Sequence, residues 1–191
     1  MEGYIKKDIV SVGSLAGTPC WNVNFLVPGK IPNNDQEILT TILGSKIKHV
    51  MIRGNLSIHP ELKAFIHGLS VKGKTVIFVT DSSEDVGPIR MARNVRLIVL
   101  ADNPDAHQNT IHPSLFSMLK ETDEVDFQVD TLDKYNSVKE WLKGRTVTQP
   151  TIMFDVSIAK DKERKEILDQ YLADSGTLAY ESKLIQFLNI E

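Results

Sequence analysis

With 191 residues, 41% hydrophobic and 25% charged, the chain has the usage of one packed globular domain, which argues against disorder. Its 22 Lys and Arg against 25 Asp and Glu leave a formal charge of −3, which excludes a general electrostatic attraction to nucleic acid or to anionic membranes. No apolar run approaches the roughly eighteen residues of a membrane span, Met1 to Lys7 lacks the apolar segment of a secretory signal, and a lone Cys20 fits a reducing compartment, so a single cytoplasmic domain over residues 1–191 is expected.

Ile9 to Val12 and Trp21 to Val27 alternate β-branched or aromatic residues with small polar ones and read as strands, joined by the turn-rich Gly13 to Pro19. Asn33, Asn34 and Asp35 supply cap side chains ahead of Ile38, Leu39, Ile42 and Leu43, the apolar stripe of a helix ending near Gly44. A rhythm of apolar strand, loop and amphipathic helix then repeats. His49 to Ile52 is a strand, Pro60 to Leu69 a helix with Leu62, Phe65, Ile66 and Leu69 on one face, and Lys74 to Val79 and Val95 to Leu100 are strands. Between the last two, the stretch holding Pro88 and Met91 carries no decisive period. Ala101 to Ser114 is a polar loop, followed by a short helix through Leu115, Met118 and Leu119. Val125 to Val129 is a strand, Tyr135 to Leu142 a helix and Thr151 to Val156 the last strand, with Lys160 to Leu172 and Leu178 to Leu188 as closing helices. The basic residues from Lys160 to Lys165 alternate with Asp161 and Glu163, the pattern of a solvated helix face rather than a nucleic-acid patch.

Near-continuous apolar strands alternating with helices predict an α/β fold, a parallel sheet of repeated βα units that is either an open doubly wound sheet or an incomplete barrel. In both, ligands gather at the carboxyl ends of the strands. Those ends supply the candidate site residues: Arg53, Gly54 and Asn55, then Thr80, Asp81 and Ser82, then Asp102. An arginine with carboxylates nearby can read a phosphate, a ribose or a base edge. Gly54 either lets backbone approach a ligand closely or serves turn geometry alone, and Ser82 or Ser83 reads more readily as a helix cap than as a ligand contact. Asp102, Asp105, His107 and His112 bring zinc- or iron-type donors into one loop, at spacings that match no compact ligand motif, so no metal is assigned. His49 and His59 read as strand-end and pre-helix residues, and Cys20 as a buried, inert thiol. Neither of the two common glycine-rich phosphate loops occurs.

The segment Gly17-Thr18-Pro19-Cys20-Trp21-Asn22-Val23-Asn24-Phe25-Leu26 resembles the Gly-Thr-Pro turn and first barrel strand of the radical SAM family, and within it of the 7-carboxy-7-deazaguanine synthases. His49 to Asn55 stands where that family has a strand closing in Gly-Gly-Glu-Pro. Val79-Thr80-Asp81, Asp123 to Asp130 and Ser182 to Ile190 are similar to later segments in the family's order. The resemblance implies an incomplete (β/α)6 barrel rather than an open sheet. It also implies a loss, because the family's Cys-x-x-x-Cys-x-x-Cys loop would follow Leu26, and here Val27 to Asn34 contains no cysteine. Without those thiolates neither a four-iron, four-sulfur cluster nor S-adenosylmethionine bound to it is expected. Asn55, Leu56 and Ser57 replace the glycine, acid and proline of the second motif. The expectation is a scaffold that has shed its catalysis, acting through a protein partner or as a homodimer. A cluster-independent protein that binds a nucleotide or purine in the strand-end cleft is the alternative, and a plain doubly wound domain outside that family stays open.

Overall fold

A computed structural model describes residues 10–15, 17–25, 35–101, 112, 114–143 and 150–175. The chain forms two compact units, residues 1–98 and 99–191.

The first unit opens with a hairpin of β1 (Val10–Leu15) and β2 (Thr18–Asn24), paired antiparallel from Val10 opposite Val23 to Leu15 opposite Thr18. This corrects two expectations. Gly13 to Pro19 is mostly strand, because cross-strand pairing occupies Gly13, Ser14, Thr18 and Pro19, and only a two-residue connection remains. Gly17 supplies the positive φ (80°) that so tight a connection needs. The sheet is also not parallel throughout, since a connection of two residues can join only antiparallel neighbours.

β2, β3 (His49–Arg53) and β4 (Thr75–Asp81) run parallel. β2 pairs with β3 and β3 with β4, so that Val23, Ile52 and Phe78 lie side by side. Helix α1 (Asp35–Gly44) links β2 to β3, and α2 (Leu62–Val71) links β3 to β4. Alternation along the strands sorts side chains into two faces. One face carries Trp21, Val23, Phe25, Val50, Ile52, Val76 and Phe78. It is covered by both helices: the Trp21 indole donates to Ser45 Oγ just beyond α1 (2.8 Å), and Phe25 meets Phe65 of α2 edge-on at 5.6 Å. The stripe Leu62, Phe65, Ile66 and Leu69, at helical spacing, is wholly buried there. The helices touch each other where Leu39 packs over Gly68.

Helix α2 begins at Leu62 rather than Pro60, because Pro60 and Glu61 belong to a turn in which Leu62 N–H donates to His59 O (3.0 Å). β4 runs on to Asp81, two residues past its expected end, and starts one residue late. Lys74 is left outside the strand, buried, with its ammonium donating to the carbonyls of Ser45 (2.8 Å) and Ile47 (2.7 Å). Burial lowers the pKa of this amine. The stretch around Pro88 is a single helical turn, α3 (Gly87–Arg90), and β5 (Val95–Ala101) follows it.

The second unit holds α4 (Leu115–Met118), β6 (Glu124–Gln128), α5 (Leu132–Lys143), β7 (Thr151–Asp155) and α6 (Asp161–Ser175). β6 and β7 are parallel, with Phe127 opposite Phe154. Its core is a chain of aromatic contacts: Phe116 to Trp141 (5.5 Å), Trp141 to Phe127 (6.0 Å), Phe127 to Phe154 (6.4 Å), then Phe154 to Tyr135 (4.9 Å) and Tyr171 (6.2 Å). Tyr135 is 2% exposed, and its hydroxyl donates to Asp174 Oδ2 at 3.0 Å, tying α5 to α6 together with the Lys139–Asp174 ion pair. The helix expected over Leu178 to Leu188 and most of the loop from Ala101 to Ser114 lie outside the described residues. Both units are thus mixed α/β, with helices between mostly parallel strands. Among the described residues no helix is long and apolar enough to cross a membrane.

Candidate functional site

The carboxyl ends of β3 and β4 bring several polar groups together. Continuing the β3–β4 register past Arg53 and Val79 places Asn55 beside Asp81, and Asn55 Nδ2 donates to Asp81 Oδ2 at 3.1 Å. Asn55 Oδ1 turns the other way and accepts from the backbone N–H groups of Ser57 (3.0 Å) and Ile58 (2.9 Å), closing a side-chain-mediated turn. Asp81 Oδ1 does the same for its own loop, accepting from the N–H of Ser83 (2.9 Å) and from the Ser83 hydroxyl. Glu84, only 3% exposed, accepts from Ser57 N–H at 3.1 Å. The β3–α2 and β4–α3 connections are therefore stitched to each other twice, through Asn55–Asp81 and through Ser57–Glu84.

The strand-end residues read from the sequence separate across the sheet. Arg53, Asn55 and Asp81 share the face away from α1 and α2, where Asn22 and Asn24 also stand. Arg53 is half-buried, and its guanidinium makes no hydrogen bond or ion pair among the described residues. Gly54 and Thr80 belong to the helix-covered face instead. A Cβ at Gly54 would lie 2.7 Å from Leu62 Cδ1 and 3.1 Å from Phe25 Cβ, so close helix packing is enough to require a glycine here. Thr80 is 3% exposed, with a buried hydroxyl that has no partner among the described residues. Ser82 is equally buried, and neither it nor Ser83 caps a helix, because α3 starts only at Gly87, with Val86 at its cap position. The reason is local: Asp81 captures Ser83 in a two-residue turn before any helix begins.

Asp102, Asp105 and His107 lie outside the described residues. His112 Nδ1 faces the Ser114 hydroxyl at 2.9 Å, and among the described residues no three His, Cys, Asp or Glu side chains are grouped to hold a metal. His49 is a strand-end residue, as expected, and His59 precedes α2, with Nδ1 3.3 Å from Glu61 Oε1 and its ring tilted against Phe25. Cys20 is fully buried, and desolvation raises its thiol pKa against a smaller opposing contribution from a backbone hydrogen bond at Met51. The protonated, shielded thiol is the inert one that its apolar setting suggests.

The link between Ser57 and Glu84 escaped sequence reading. The signal available was an asparagine two residues ahead of a serine at a strand end, which marks a side-chain turn. Nothing in the sequence says that a carboxylate 27 residues further on would share the same N–H.

No protein-family model, no curated protein and no solved structure matches this chain.

Proposed function

We propose that this chain is a non-catalytic, radical-SAM-like protein, resembling the 7-carboxy-7-deazaguanine synthases, that acts through contacts with a protein partner or with a second copy of itself. The observation that carries the reading is the closed network at the strand ends. In a barrel enzyme these two loops present their polar groups to a substrate. Here Asn55, Asp81 and Glu84 direct theirs at one another and at loop backbone, which rigidifies the loops. Leu56, where the family has an acid, is 3% exposed and part of the core. Beside the network stands Ile58, 65% exposed.

The strand order supports an incomplete (β/α)6 barrel as the underlying architecture. β2, β3 and β4 are neighbours in chain order, with α1 and α2 on one face, whereas a doubly wound sheet reverses its order and places helices on both faces. Anaerobic reconstitution with iron and sulfide tests the proposal. The expected result is no stoichiometric cluster and no cleavage of S-adenosylmethionine. A cluster that supports cleavage overturns it. Light scattering with Ile58→Glu tests the contact in a self-associating preparation, where the variant is expected to weaken association at least about tenfold, the equivalent of about 1.4 kcal/mol.

The half-buried guanidinium of Arg53, without a partner among the described residues, favours a second reading, a cluster-independent nucleotide- or purine-binding protein, because a planar guanidinium pairs well with phosphate. A ligand held at one hundred times its Kd would stabilise the fold by about 2.7 kcal/mol. Thermal-shift measurements over a nucleotide panel, repeated with Arg53→Met, decide it. A shift that the variant abolishes supports this reading, and no shift from any member removes it.

A further inference from the structure

No further inference is drawn: the strongest candidate, the half-buried Arg53 guanidinium on the polar face at the carboxyl end of β3, belongs to the site already described.

Discussion

Gly54 and Leu62 show how a single missing methyl can hold a helix against a sheet. The Leu62 side chain occupies the space that a Cβ at residue 54 would take, with the Phe25 Cβ closing the other side. Gly54→Ala should therefore destabilise by about 1–3 kcal/mol through overpacking. In a Leu62→Ala background the same substitution should cost clearly less, and equilibrium denaturation of the four proteins measures the coupling. The Asn55–Asp81 pair makes a different demand. Both residues also hold their own loops, so Asp81→Ala should cost about 0.5–2 kcal/mol, the range for losing a side-chain cap of backbone N–H groups. Cys20 gives a third measurement at this scale. Its thiol has no solvent contact and a raised pKa. Modification by a disulfide reagent should proceed only as fast as the protein opens, and rapid labelling of the native state would contradict the burial.

A polar clasp joins helices α5 and α6, and its pH dependence follows from the directions of its two shifts. Asp174 is held below the usual carboxylate range chiefly by the hydrogen bond from Lys139, with Gln170 and Tyr135 adding to it against a desolvation that opposes them. A depressed carboxylate contributes stability that is present above its unfolded value and lost as pH falls toward the folded one. Tyr135 is shifted upward, first by burial and then by its hydrogen bond to Asp174 and the charges of Asp174 and Tyr171. A raised phenol contributes stability that is complete below its unfolded value and lost as pH rises through the folded one. The stability difference between the wild type and Asp174→Ala should thus be flat through neutrality, shrink below about pH 4 and shrink again above about pH 10. Urea titrations across pH check both limbs. The aromatic chain beside this clasp is expected to carry more stability than the clasp, because Phe127 is fully buried between Trp141 and Phe154. Phe127→Ala should cost about 3–5 kcal/mol.

Burial differs from strand to strand across the molecule. β3 and β4 are covered on both faces along most of their length, whereas Ile152, Met153 and Phe154 of β7 are each only partly covered. Hydrogen exchange should follow that difference, with amides of β3 and β4 protected to near the global unfolding free energy and those of β7 exchanging through smaller openings. Equal protection in both sets would show that β7 opens only with the whole fold.

Local pattern is enough for most of the elements. Helical spacing of Leu62, Phe65, Ile66 and Leu69 marked α2, and apolar runs marked β3 to β7, because burial imposes a period that needs no knowledge of neighbours. The bounds of the hairpin are not legible, since Gly13 and Ser14 look like turn residues until their partners across the strand are known. The candidate site was legible only as a set of strand ends. Pairing register then divided that set, sending Gly54 and Thr80 beneath the helices and leaving Arg53, Asn55 and Asp81 on the other face. Periodicity states which residues alternate, but not which face a helix will cover. Pairing residues far apart in the chain, such as Ser57 with Glu84, is likewise a property of the folded geometry and has no local trace.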